Sequence, residues 1–140
     1  MSSNGSTRVM RRETFNAGHR LFRPDWSDEQ NYRVFGKCSN PTGHGHNYTI
    51  EVTLEGPIDP ETGYVFDLKQ LSDIISKRVL HDVDHHNLNT DVEWLAGKNP
   101  TAEVLVEAFW ERLEPDLPTG LLASIKISET EKNWAEKRRP

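Results

Sequence analysis

Apolar residues that share one parity predict that the chain contains three β-strands. The strands are predicted over residues 8–19, 44–55 and 121–130. In the second of them Ile50, Val52 and Leu54 alternate with threonine and glutamate, a pattern typical of a strand with one buried face. Residues 131–140 are predicted to form a short last strand or a tail.

Apolar residues at helical spacing predict two helices between the second and third strands. Asp67 is placed to cap a helix over residues 68–80, and Thr101 is placed to cap a second helix over residues 102–113. The polar sequence of residues 20–37 predicts a long irregular excursion instead. Strands followed by helices and a further strand predict an α+β fold, with an antiparallel sheet covered by helices on one face.

The composition describes one acidic domain. A chain of 140 residues is most simply a single domain, here residues 8–140 after a disordered lead-in over residues 1–7. Seventeen lysines and arginines against 22 acidic residues give a net charge of −5, and no basic stripe favours nucleic acid as a partner. No apolar run predicts a membrane span, and the start lacks a signal-peptide pattern. A lone cysteine favours a reducing compartment, which we expect to be the cytoplasm.

The segment CSNPTGHGHNY contains the only cysteine, Cys38, and two of the six histidines. On a strand His44 and His46 point to the same side, which is also the apolar side of the strand. Two imidazoles there are costly unless their nitrogens have partners, and His-x-His on a strand is a recurrent pair of metal ligands. His19, at the end of the first strand, is the expected third ligand, and Cys38 is its rival. The spacing alone also allows ordinary histidines without a metal.

Three acidic residues and a further histidine are also candidates for the functional site. Asp84 and His85 can form a proton-transfer pair, although histidines are also favoured near a helix C-terminus by the helix dipole. Glu129 continues the apolar parity of the third strand, so it lies either at the solvated end of the sheet or against a ligand. Glu103 is an acid at a helix start, where the dipole favours it without any further role.

Six segments together resemble the 6-pyruvoyltetrahydropterin synthase family. They are FNAGHRL (15–21), FGKCSNPTGHGHNY (35–48), GYVFDLKQL (63–71), VDHHNL (83–88), NPTAEVL (99–105) and ISET (127–130). The spacing of five residues between Cys38 and HGH is the most specific feature. Related 6-carboxytetrahydropterin synthases of the queuosine pathway typically have a shorter gap, so the chain is nearer to the biopterin branch. The short, charged end KNWAEKRRP departs from the family, and predicts either a brief last strand with Trp134 as its aromatic residue or a diverged end.

The resemblance implies a tunnelling fold, in which each subunit has four antiparallel strands and two helices on one face. Three subunits would close a barrel, two trimers would form a homohexamer, and the active sites would lie between subunits. The implied zinc ligands are His19, His44 and His46. The implied catalytic residues are the thiol of Cys38, its proton-relay partners Asp84 and His85, and Glu129, which anchors the pterin ring. Thr101 and Glu103 match positions near the pterin.

The resemblance also implies a function. The chain would be a zinc-dependent lyase that converts 7,8-dihydroneopterin triphosphate to 6-pyruvoyl-tetrahydropterin and triphosphate. The alternatives are a 6-carboxytetrahydropterin synthase of queuosine biosynthesis and a non-catalytic zinc-stabilised binding module. A zinc hydrolase would need an HExxH-type signature, which the sequence lacks. The candidates for binding the triphosphate are Arg20, Lys37 and Lys126, and the sequence does not separate them from ordinary surface charges.

Overall fold

The computed structural model describes residues 6–140 and contains one five-stranded sheet. The strands are β1 (Thr7–His19), β2 (His44–Gly56), β3 (His86–Asn87), β4 (Leu122–Ser128) and β5 (Trp134–Arg138). Their order across the sheet is β3-β1-β2-β4-β5. Most of the lead-in predicted over residues 1–7 lies outside the described part, and Thr7 already belongs to β1.

The predicted α+β fold is confirmed, with one strand more than the predicted four. β1 and β2 pair antiparallel along their whole length, from Thr7 opposite Gly56 to His19 opposite His44. The additional strand is β3, whose two residues lie parallel to the end of β1. It is too short to have an alternation of its own, and therefore it gave no signal in the sequence. The brief last strand is confirmed as β5, which begins at Trp134 and pairs with β4.

Within residues 6–140, four α-helical segments accompany the sheet. They are α1 (Asp28–Phe35), α2 (Leu68–Ile75), α3 (His81–Val83) and α4 (Ala102–Leu113). A π-helical turn over Ser76–Leu80 joins α2 to α3, so the first predicted helix extends three residues beyond its predicted end. Both predicted caps are confirmed: Asp67 accepts a hydrogen bond from the backbone of Lys69, and Thr101 accepts one from the backbone of Val104.

The prediction of an irregular excursion over residues 20–37 is wrong, because this segment contains α1. Ser27 caps the helix, and Gly36, with φ of 60°, ends it. The helix gave no apolar stripe because it exposes Tyr32 and buries the polar Asn31 instead. The side-chain oxygen of Asn31 accepts from the backbone of Arg23, and its amide donates to the carbonyl of the same residue.

The core lies between the sheet and the helices α2 and α4. Its fully buried strand residues include Tyr48, Ile50, Val52 and Leu54. On β4 the register shifts after Leu122, which pairs with Leu54, and Ala123 is the extra residue. The buried apolar side chains of this strand are therefore Leu122, Ile125 and Ile127. The predicted odd parity fails before this bulge and holds after it, since an extra residue reverses the alternation. Among the described residues no helix is long and apolar enough to cross a membrane.

Candidate active site with a three-histidine centre

Three histidines converge where β1 ends and β2 begins. His19 lies opposite His44 in the register of the two strands, and His46 follows two residues later on the same side of β2. One ring nitrogen from each lies within 4.8 Å of the others. The Nε2 atoms of His19 and His44 are 3.2 Å apart. Two nitrogens bound to one tetrahedral zinc ion would lie about 3.3 Å apart, so this pair already has the spacing of a metal site.

The tautomer of His19 also fits a metal ligand. Its Nδ1 lies 2.8 Å from the carbonyl oxygen of Pro100, and a carbonyl oxygen can only accept a hydrogen bond. Nδ1 therefore carries the proton, and Nε2 presents its lone pair to the other two histidines. The hydroxyl of Tyr48 lies 3.3 Å from the same Nδ1. Pro100 and Tyr48 thus hold the ring in one orientation.

His46 supplies an independent sign of a missing partner. Its Nε2 is buried and has no hydrogen-bond partner among the described residues. The nearest carboxylate oxygen, from Glu129, is 3.5 Å away without the geometry of a hydrogen bond. A buried polar atom left without a partner is costly, and a bound metal ion would remove that cost. The three histidines therefore fit a metal in spacing, tautomer and hydrogen bonding.

Burial favours the neutral form of two of these imidazoles, His19 and His46. The pKa of His19 is lowered mainly by burial, which outweighs the opposing hydrogen bond to Pro100, and His44 lowers it further. The pKa of His46 is also lowered mainly by burial, against an opposing effect of Glu129. Since a metal binds the neutral ring, both shifts favour metal binding over protonation.

Gly43 permits the close approach of the loop to β1. Its φ is 73°, and a Cβ atom there would lie 3.0 Å from the carbonyl oxygen of His19. A larger residue would be strained in its backbone and would collide with a backbone atom that cannot move aside. The glycine before His44 is thus required by the local geometry of the site.

Cys38 precedes His44 by six residues and does not belong to the group of three histidines. It belongs to the 3-10 turn Gly36–Ser39, is half-buried, and accepts a backbone hydrogen bond from Leu21. Among the described residues the compact group of possible ligand atoms contains the histidines and not this sulfur. Burial raises the pKa of Tyr48, and the charges of Glu129 and Cys38 add to that effect.

Asp84 and His85 lie side by side at the end of α3. His85 Nδ1 lies 3.0 Å from Asp84 Oδ1, and the same oxygen accepts from the backbone of Asn16 at 2.9 Å. His85 has a φ of 63°, an uncommon conformation for a residue other than glycine, and its side chain is 80% exposed. Within one chain the described hydrogen bonds do not join this pair to Cys38. The exposed His85 side chain is instead within reach of solvent or of a neighbouring subunit.

The other predicted site residues lie at the start of α4 and just after the end of β4. Thr101 uses its hydroxyl oxygen to cap α4, and Glu103 is exposed in the first turn of that helix. Glu129 follows the last residue of β4 and is mostly buried near His46. Sequence analysis missed the carbonyl of Pro100, which no local pattern connects with a histidine 81 positions earlier.

The three candidates for phosphate binding have different surroundings. Arg20 lines a cavity of about 560 Å³ beside the histidines. Lys37 lines a neighbouring cavity of about 450 Å³. The ammonium group of Lys126 lies 4.3 Å from the ring centre of Trp134 and 4.0 Å from a Glu51 carboxylate oxygen. Lys126 is therefore already engaged with other residues.

Comparison with known proteins gives the family. The sequence model described as 6-pyruvoyl tetrahydropterin synthase matches residues 8–140. The chain belongs to this family. It is 42% identical over 138 residues to human 6-pyruvoyl tetrahydrobiopterin synthase, with 95% of each chain covered. It is 44% identical over 141 residues to the Drosophila melanogaster protein of the same name, covering 100% of this chain and 84% of that one.

Solved structures confirm the tunnelling fold. Caenorhabditis elegans 6-pyruvoyl tetrahydropterin synthase has a TM-score of 0.92 at 37% identity, with 100% of both chains covered. The Plasmodium falciparum 6-pyruvoyl tetrahydropterin synthase has a TM-score of 0.70 at 19% identity, covering 97% of this chain and 99% of that one. The second likeness shows the fold alone. The resemblance recognised in the sequence is thus confirmed for both family and fold.

Proposed function

We propose that the chain is a 6-pyruvoyltetrahydropterin synthase. It is a lyase that eliminates triphosphate from 7,8-dihydroneopterin triphosphate and forms 6-pyruvoyl-tetrahydropterin. The observation that carries the proposal is the compact group of three histidines, with a fixed tautomer at His19, in a chain of this family. The human and Drosophila melanogaster relatives are both named 6-pyruvoyl tetrahydrobiopterin synthase, which favours this reaction over formation of the 6-carboxy product of the queuosine pathway.

We assign zinc to His19, His44 and His46. When bound, zinc would act as a Lewis acid that lowers the pKa of the substrate's side-chain hydroxyls. Three neutral imidazoles add no negative charge to the centre, and they leave the fourth tetrahedral position for substrate. Pro100 contributes by keeping the proton of His19 on Nδ1, away from the centre.

Cys38 is the proposed base. It would take a proton from a carbon of the substrate side chain, and for this it must first lose its own proton. The Asp84–His85 pair is the proposed acceptor, since the carboxylate oxygen lies 3.0 Å from Nδ1 of the imidazole and can orient the ring. A neighbouring subunit would supply this pair, because His85 is exposed in the single chain.

Glu129 is the proposed anchor of the pterin. Its carboxylate would accept hydrogen bonds from a ring N–H and the amino group, which fixes the side chain of the substrate against the histidines. Thr101 and Glu103 are proposed to assist. The Thr101 hydroxyl oxygen accepts from Val104, and its own hydrogen is available for a ligand.

The proposal includes a homohexamer built as a dimer of trimers. The described sheet ends on one side at the five-residue β5 and on the other at the two-residue β3, and both edges have unpaired backbone groups that other subunits can cover. Residues 8–140 would form the single synthase domain of each subunit. A cytoplasmic setting is also part of the proposal, because a reducing compartment would keep the catalytic thiol reduced.

A mass-spectrometric product assay tests the function. Zinc-replete protein is incubated with 7,8-dihydroneopterin triphosphate under anaerobic, reducing conditions. The expected product keeps the three-carbon side chain as a diketone, with triphosphate released. A 6-carboxy product with acetaldehyde would move the chain to the queuosine reaction. Unchanged substrate would refute the proposed activity, and retained zinc without turnover would then favour a binding module.

A further inference from the structure

We propose that the cavity beside the histidines holds the triphosphate of the substrate, with Arg20 and Lys98 as its main cations. This inference rests on the proposed function and deepens it, because it names the part of the site that binds the leaving group. The cavity has a volume of about 560 Å³, and its walls come from the segments around residues 20–25, 41–43, 87–90 and 97–99.

The cavity adjoins the histidine centre through the chain itself. Arg20 follows His19 directly, and Gly43 directly precedes His44. Asn99, a third lining residue, precedes Pro100, whose carbonyl binds His19. A substrate whose hydroxyls lie at the histidines therefore reaches this cavity with its next few atoms.

The order of the strands indicates the direction in which the substrate would lie across the site. Glu129 follows the end of β4, His46 and His44 lie on β2, and His19 ends β1. The cavity continues beyond β1 toward β3, where Asn87 lines it. Neighbouring strands are about 4.8 Å apart, so these groups follow one another across the end of the sheet. The substrate is also linear, with ring, hydroxylated side chain and triphosphate in that order. With its ring at Glu129, its triphosphate lies on the β1–β3 side.

The charges of the cavity match a polyanion. Its lining contains three cations, Arg20, Arg23 and Lys98, and one carboxylate, Asp25, which leaves a net charge of +2. Arg23 and Asp25 are paired at 3.0 Å. Among the described residues no hydrogen bond or ion pair engages the ammonium group of Lys98 or the two terminal nitrogens of Arg20.

Arg20 is also held in place before any ligand binds. Its Nε donates to the carbonyl oxygen of Ser39 at 2.8 Å, and its guanidinium lies 3.8 Å from the ring centre of Phe22. The side chain of Asn89 also holds the backbone of Arg20: its oxygen accepts a hydrogen bond from the Arg20 N–H, and its amide donates one to the Arg20 carbonyl. A guanidinium fixed in this way loses little freedom when it binds a phosphate, and its terminal nitrogens form the fork that phosphate oxygens match.

Direct binding tests the inference without turnover. Zinc-loaded protein is titrated by calorimetry with magnesium triphosphate, which limits removal of zinc by the anion, and separately with 7,8-dihydroneopterin, which lacks phosphate. We expect Lys98→Gln and Arg20→Gln each to weaken magnesium triphosphate binding about tenfold. Both should keep their affinity for 7,8-dihydroneopterin. Lys69→Gln, an exposed lysine on α2, should change neither affinity.

A variant that should bind magnesium triphosphate more tightly provides a second test. Asp25→Asn removes the only carboxylate that the described residues contribute to the cavity lining, and it frees Arg23, so it should tighten magnesium triphosphate binding severalfold. A variant that folds badly would not show this gain. Unchanged triphosphate binding in Lys98→Gln and Asp25→Asn would overturn the inference. If the wild-type protein bound magnesium triphosphate but not 7,8-dihydroneopterin, the pterin function would fail while the anion site stood.

Discussion

Metal binding at the three histidines should raise the thermal stability of the protein, and one ligand substitution should abolish most of that rise. The substitution is His44→Ala, which removes the ring whose Nε2 lies 3.2 Å from that of His19. An ion that binds only the folded chain stabilises it by RT ln(1 + [L]/Kd), about 4 kcal/mol at a thousandfold excess over Kd. For a domain of 140 residues this corresponds to a rise in Tm of roughly 10–15 °C.

Calorimetry of chelator-treated protein, with and without added zinc, measures the rise. Each variant is compared with its own metal-free form, so a general loss of stability does not affect the result. Only two of the three ligands are left in His44→Ala, and its zinc-dependent rise should fall below about 3 °C. His81→Ala is the matched control, because His81 is an exposed histidine on α3 outside the group.

The control should keep the full rise in Tm. An equal rise in His44→Ala and the wild-type protein would show that zinc stabilises the chain from another site. In that case the spacing of His19 and His44 would be a packing feature rather than a metal centre, and the assignment of zinc to the three histidines would be refuted.

Three further predictions follow from individual contacts. Thr101→Ala should lower the free energy of unfolding in urea by about 1 kcal/mol, because it removes the cap of α4, whereas Thr101→Ser should keep the cap and the stability. Equal losses in the two variants would contradict the capping role of Thr101. Arg112→Met should lower the free energy of unfolding in urea by about 1–3 kcal/mol, because Arg112 Nε donates a hydrogen bond to the carbonyl of Arg78 inside the π-helical turn. An unchanged free energy of unfolding would contradict this contribution. Metal-free protein should lose stability as the pH falls below 6.5: burial lowers the pKa of His19 and His46 in the folded state, so the unfolded chain binds more protons. Thermal unfolding between pH 7.5 and 5.5 measures this, and a flat Tm would contradict it.

Much of the histidine centre could be predicted from strand parity. The alternation that places Ile50, Val52 and Leu54 inward continues back to His46 and His44, and the structure keeps that parity throughout β2. The pairing of His19 with His44 depends on the register between two strands, which neither strand specifies alone. The proposed ligand set therefore needed the family resemblance as well as the pattern.

The missed features share a physical cause. α1 is held by its cap and by the buried amide of Asn31 rather than by an apolar stripe, so its sequence has no hydrophobic pattern of helical spacing. The bulge at Ala123 and the turn over Ser76–Leu80 each change a repeat by one residue without any Gly or Pro to mark them. The Pro100 carbonyl reaches His19 only through the tertiary fold. Local sequence does not encode such long-range contacts.

The most direct test of the account is one preparation of Cys38→Ala, in which zinc content and product formation are both measured. We expect about one zinc per chain, as in the wild-type protein, and no diketone product from 7,8-dihydroneopterin triphosphate. This result would separate the metal ligands from the base. Loss of zinc would make Cys38 a ligand instead, and normal turnover with zinc retained would show that another group takes the proton.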